Sequence, residues 1–109
     1  MPESPIGEFE QLVMLALLRV GDEAYGVPIH AELSTRARRA VNLAAVYKTL
    51  ERLEAKGYVS SRVGEPTPER GGRRRKYFTL EAPGRQALRE SLAALRRMTA
   101  GLELPGGGL

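Results

Sequence analysis

The chemically expressive side chains of this 109-residue sequence are its cations. Arg70, Arg73, Arg74, Arg75 and Lys76 place five positive charges in seven positions, tempered only by Glu65 and Glu69. Lys48 and Arg52 stand four residues apart in a stretch of helical periodicity, with Lys56 a further turn along. Such a concentration suits a polyphosphate, because each neutralised phosphate releases condensed counterions and that release drives binding. Catalysis has far less to work with. Ser60, Ser61, Asp22, Glu23 and His30 form no nucleophile-and-base set that their spacing brings together, so no enzyme is expected. Gly71 and Gly72 make no phosphate loop, since no helix start follows them. With no cysteine and one histidine, a disulfide framework, a thiolate metal site and a multi-histidine centre are excluded, and no cofactor is expected. His30 is read as a structural residue.

The charge is polarised along the chain. Residues 1–35 carry one basic and six acidic side chains, residues 36–76 twelve basic and four acidic, and residues 77–109 four basic and three acidic. A net charge of +4 therefore conceals a strongly cationic middle. Apolar residues at 42% and charged residues at 28% describe one small globular domain, near the size at which a subunit interface often supplies missing apolar contact. The opening MPESPIGEFE has no cationic leader region, and the apolar run 12–18 is far shorter than the ~20 residues that span a bilayer. No membrane association and a cytoplasmic location are expected.

Apolar periodicity supplies the elements that must position these charges. Phe9, Leu12, Val13, Ala16, Leu17 and Val20 fall at helical spacing over residues 8–20, and Met14, Leu15 and Leu18 widen the stripe beyond one face. Gly21 stops this helix. A second helix is predicted over 28–38, with Ile29, Leu33 and Ala37 inward. A third begins near Asn42 or Leu43 and ends at Gly57, a left-handed cap. Its apolar side is read as Leu43, Val46, Leu50 and Leu53 with Tyr47 at the edge, and its outer side as Ala45, Lys48 and Arg52 flanked by Thr49 and Lys56. The period then changes to two over 58–63 and 75–80, a β-hairpin with a long polar tip. A last helix starts around Pro83 and carries Leu88, Leu92, Leu95, Thr99 and Leu102 at alternating spacings of four and three, with Met98 beside the seam. About two heptads are too few for an independent coiled coil, but enough to dock on Leu12 and Leu15 of a second subunit.

This order makes a mainly α fold with a β-hairpin wing: a winged helix-turn-helix followed by a C-terminal dimerisation helix. The expected division is a flexible segment 1–7, the winged domain 8–80, the dimerisation helix 81–103 and a flexible tail 104–109. A helix of this kind fits a DNA major groove, and a basic wing can follow the adjacent backbone.

Three segments carry a resemblance beyond architecture: AYGVPI at 24–29, AAVYKTLERLEAKGYVSSR at 44–62 and GGRRRKYFTLEAPGR at 71–85. Together they resemble the PadR family of bacterial transcriptional regulators over about residues 8–102. The most specific parts are Tyr47 within the third helix, the run 52–58 and the strand 75–80. The resemblance implies a dimeric repressor whose last helix reaches the other subunit's first helix, bound to an inverted-repeat operator. It also implies the short subfamily, with one helix after the wing. Carried over by position, Tyr47 touches a phosphate, Lys48 and Thr49 face the groove, and Arg73, Arg74, Arg75 and Lys76 belong to the wing and its base. The chain departs from the family pattern at Glu81, where Thr or Ser usually caps the last helix, which predicts a late or frayed start. It departs again at Lys48, where many members have Pro, and it has no tryptophan of the kind some members stack on planar ligands.

The expected DNA contacts are thus Ala45, Tyr47, Lys48, Thr49, Arg52, Arg73, Arg74, Arg75 and Lys76, and the expected dimer contacts Leu12, Leu15, Leu88, Leu92, Leu95 and Leu102. Double-stranded DNA, a second copy of the chain and a small-molecule effector between subunits are the expected partners. The competing reading is a winged-helix protein-interaction module that uses the apolar first and last helices.

Overall fold

The computed structural model describes residues 6–65 and 74–103. Most of the expected lead-in, the hairpin tip with Arg73, and the glycine-rich tail lie outside the described residues.

Helix α1 spans Glu8–Val20, as its periodicity predicts. The Glu10 carboxylate reaches back to accept from the Gly7 amide at 2.9 Å, satisfying one of the donors that every helix start leaves open. Gly21, at φ +81°, ends α1 and leads into a single 3-10 turn, Gly21–Glu23. Helix α2 covers Gly26–Thr35, starting and finishing earlier than predicted. Pro28 sits in its first turn, where a missing N–H costs nothing. Arg38, in the left-handed region at φ 55°, keeps the chain from continuing as helix. Helix α3 covers Leu43–Ala55, and Gly57 follows it at φ +80° in the left-handed role expected of it.

Strands β1 (Val59–Val63) and β2 (Lys76–Leu80) pair antiparallel, with Val59 opposite Leu80 and Val63 opposite Lys76. The Phe78 amide also donates to the Ala24 carbonyl at 2.8 Å, so the segment between α1 and α2 adds a rung on the free edge of β2. One apolar core results, built from Val13, Met14 and Leu17 of α1, Ile29 and Leu33 of α2, Val46, Leu50 and Leu53 of α3, and Phe78 and Leu80 of the hairpin. The molecule is a mainly helical winged-helix domain. Among the described residues no helix is long and apolar enough to cross a membrane.

Helix α4 runs Ala82–Thr99 and behaves as two halves. Its first turns bury Gly84, Ala87 and Leu88, and a Cβ on Gly84 would overlap the Tyr58 carbonyl oxygen. Leu88 therefore belongs to the core of its own chain, which corrects its expected place as a dimer contact: the start of α4 has Tyr58 and Leu80 to cover. Leu92 is half-buried against the same core. Beyond it Leu95, Met98 and Leu102 are 54%, 75% and 57% exposed. Leu102 is not a member of the helix at all, because the chain leaves it at Thr99 and turns through Gly101 at φ +80°.

The expected late start of α4 is also overturned. Glu81 occupies the N-cap position but makes no side-chain cap. Its carboxylate accepts instead from the Ser60 hydroxyl of β1, while its carbonyl accepts from the Arg85 amide at 2.9 Å. The helix begins at once because the hairpin anchors its entry, with Pro83 in the first turn.

Candidate nucleic-acid interface

The entry to α3 is fixed twice. His30 of α2 hydrogen-bonds through Nε2 to the Val41 carbonyl at 2.7 Å, and the Asn42 side chain accepts from the Ala45 amide at 2.8 Å as an N-cap. His30 is thus a structural residue as expected, but its task is to hold the loop that aims α3.

The structure rotates the outward face of α3 relative to the sequence reading. Val46, Thr49, Leu50 and Leu53 are buried, whereas Leu43, the first helical residue, is exposed. At about 100° per residue the centre of the buried side therefore lies opposite Ala44, Lys48, Glu51 and Ala55. Thr49 does not face a groove. It packs inward, 2% exposed, with its hydroxyl accepting from Arg52 Nη2 at 3.3 Å.

The cause of the rotation is α1. Buried Glu10 receives Lys56 Nζ at 3.0 Å and stands 3.6 Å from Arg52 Nε, so one flank of α3 that looks solvent-facing in sequence is docked on a carboxylate. Burial opposes ionisation of Glu10. The Gly7 amide and the Lys56 and Arg52 charges outweigh that penalty, and the carboxyl is held below its ordinary value. Arg52 stays more than half exposed at the rim of the outward face, partly drawn towards α1.

Ala45, Tyr47 and Lys48 come together, with Asn42, Ala44 and Glu51, around one shallow open depression. Tyr47 is half-buried and lies against Gly26 at the start of α2, where any Cβ would overlap its ring. That contact explains its position at the edge between core and surface. Lys48 and Glu51 make no ion pair or side-chain hydrogen bond among the described residues. Glu51 is absent from the contacts expected from sequence. Its signal is positional: an acid one helical turn from a lysine with no partner among the described residues, visible only once Thr49 is known to be buried.

The wing base is stiffened by its own cations. Arg62 of β1 lies 4.6 Å from the Tyr77 ring centroid, Arg75 lies 4.6 Å from that of Tyr25, and the two rings meet edge to face at 5.8 Å. Lys76 reaches within 3.8 Å of Glu54 on α3, which also accepts from the Ser61 hydroxyl at 2.6 Å. Arg74 is exposed. Of the expected wing contacts, Lys76 therefore lies beside the C-terminal end of α3, Arg75 packs on Tyr25 at the entry to α2, Arg74 is exposed, and Arg73 lies outside the described residues.

On the other side of the domain, Leu12 and Leu15 line an apolar groove between α1 and α2, rimmed by Arg19, Glu32 and Arg36. No group of three or more potential metal ligands occurs among the described residues.

Comparison with known proteins agrees with this architecture. Solved structures of a PadR family transcription regulator from Clostridium difficile R20291 (24% identity, 85% of this chain and 92% of that one, TM-score 0.67) and of a PadR-like transcription factor from Bacteroides fragilis (27%, 84% and 82%, 0.68) are similar. So is a PadR family transcriptional regulator from Eggerthella lenta DSM 2243 (27%, 86% and 81%, 0.65). A search of curated proteins finds no match. The model of the transcriptional regulator PadR-like family matches residues 14–90, from the core of α1 through the buried turns of α4, and the chain belongs to that family.

Proposed function

We propose that this chain is a dimeric, sequence-specific DNA-binding repressor. The observation that carries the reading is the outward face of α3: Val46, Leu50 and Leu53 are buried in the core, and the opposite side presents Ala44 and Ala55 around Lys48 and Glu51, which have no partner among the described residues, beside a cationic wing base. A helix with that surface can enter a major groove closely, with Lys48 donating to base acceptors, Tyr47 at the edge contacting phosphate, and Arg74, Arg75 and Lys76 following the flanking backbone. Membership of a transcriptional-regulator family supports the same conclusion, and so do relatives named as transcription factors. Such a protein works in the cytoplasm, on its operator.

The second copy is assigned to the apolar surface the fold leaves over. Leu95, Met98 and Leu102 extend beyond the last core contact of α4, and Leu12 and Leu15 border an open groove. Seating one on the other buries both. Two-fold symmetry then presents two α3 helices about one helical turn, ~34 Å, apart, matching an inverted repeat. A ligand bound between the subunits that favours another separation would release both half-sites together.

The test is fluorescence anisotropy against duplex from the gene's own upstream region and a scrambled control, at about 50 and 200 mM salt. Tight, sequence-selective binding that weakens steeply with salt is expected. Absence of binding to either duplex at low salt overturns the proposal. The exposed end of α4 would then favour the second reading, a protein-interaction module.

A further inference from the structure

A carboxylate at the centre of a phosphate-seeking surface is electrostatically unfavourable, and Glu51 occupies that position. The other acid of α3 within the contact region, Glu54, is occupied by Ser61 and Lys76. Glu51 is exposed and has no ion pair or hydrogen bond among the described residues. Against phosphates it repels, and the chemistry that offsets such a cost is a hydrogen-bond donor supplied by the partner.

In the major groove the donors are exocyclic amino groups, and a carboxylate pairs with cytosine N4. Lys48 precedes Glu51 by three residues, a rise of about 4.5 Å along the helix, close to one base-pair step of ~3.4 Å. Ala44 and Ala55 flank this pair on the same face and let the helix backbone approach the base edges. The short glutamate reaches a base only if the backbone comes that close.

We infer that Glu51 is a specificity-determining residue, accepting from a cytosine amino group in each half-site while Lys48 donates to a guanine at the same or an adjacent base pair. The inference rests on the DNA-binding reading of α3. Its consequence is double: Glu51 lowers affinity for DNA in general and concentrates what remains on sites that present the cytosine.

The experiment is selection from a randomised duplex library with the full-length protein and its Glu51→Ala and Glu51→Gln variants, followed by titration of the consensus and of single-base changes. Glu51 makes no ion pair or side-chain hydrogen bond among the described residues, so matched thermal unfolding of all three proteins is expected. The wild type should select a cytosine at a fixed position in both half-sites. E51A should lose roughly tenfold or more of its discrimination there while binding unrelated DNA more tightly, and E51Q should shift that position towards adenine, which glutamine reads through N6 and N7. An E51A consensus identical to that of the wild type overturns the inference and leaves the DNA-binding reading standing. A wild-type protein that shows no salt-sensitive binding to any duplex overturns both.

Discussion

Helices α3 and α4 are both amphipathic, yet the fold treats their apolar faces differently. Val46, Leu50 and Leu53 of α3 are fully enclosed by their own chain, whereas no side chain beyond the first half of α4 is. A helix whose large apolar residues are mostly enclosed offers partners chiefly small, polar and charged surface. A helix whose stripe outruns the core offers apolar surface. The difference separates two kinds of recognition in one small domain: α3 is suited to a polyanion, and the far end of α4 to another apolar surface.

Deleting apolar atoms on each helix tests this contrast most strongly. Leu50→Ala should cost about 2–5 kcal/mol in denaturant unfolding, because it opens a cavity among α1, α2 and the hairpin. Leu95→Ala should leave the unfolding of dilute, monomeric protein nearly unchanged, since Leu95 lies outside the core. Similar losses at both sites would erase the distinction. Next in size is assembly. Replacing Leu95 and Met98 together by Asp should give a folded monomer in sedimentation experiments, and an unchanged dimer mass would refute the use of that surface between subunits.

Smaller effects are expected from the charges on the polar side. Lys48→Ala and Arg74→Ala should each weaken DNA binding, and the salt slope should fall by roughly one for every phosphate the removed cation touches. A base contact by Lys48 should instead change sequence preference with little change in slope, which separates the two roles. The smallest effect concerns Glu10. Its carboxyl is held below the ordinary value, so the stability it contributes is present above the unfolded-state value and is lost as pH falls through the folded one. Glu10→Gln should flatten the acid side of the stability-pH curve, and an unchanged curve would show that Lys56 and Arg52 do not stabilise the charge.

Sequence is most informative where a pattern is local. The limits of α1, the left-handed Gly57, the hairpin and the positions of Leu50 and Leu53 follow from periodicity and turn residues alone. It is least informative where a polar residue is covered by something distant in the chain. Thr49 and Lys56 resemble solvent-facing helix positions, but Glu10, 46 residues before Lys56, receives that lysine and turns the flank inward. The same effect conceals Glu51. A heptad does not reveal where its core ends, so spacing alone places Leu88 against another subunit when it packs in its own. Glu81 reads as a weak cap because its true partner, Ser60, lies on a strand 21 residues away. Spacing along one element specifies which residues share a face, not what that face meets.

The contact between Gly26 and the Tyr47 ring has a consequence for how this protein can diverge. Because a Cβ at position 26 would overlap the Tyr47 ring where it now stands, the two positions constrain each other. A larger residue at 26 requires either that the ring swing away from α2 or that position 47 become smaller; made first, the change at 26 displaces the tyrosine from its present place at the edge of α3. A chain without the tyrosine would be free to fill position 26, and a tyrosine restored at 47 would then have to stand elsewhere than against α2.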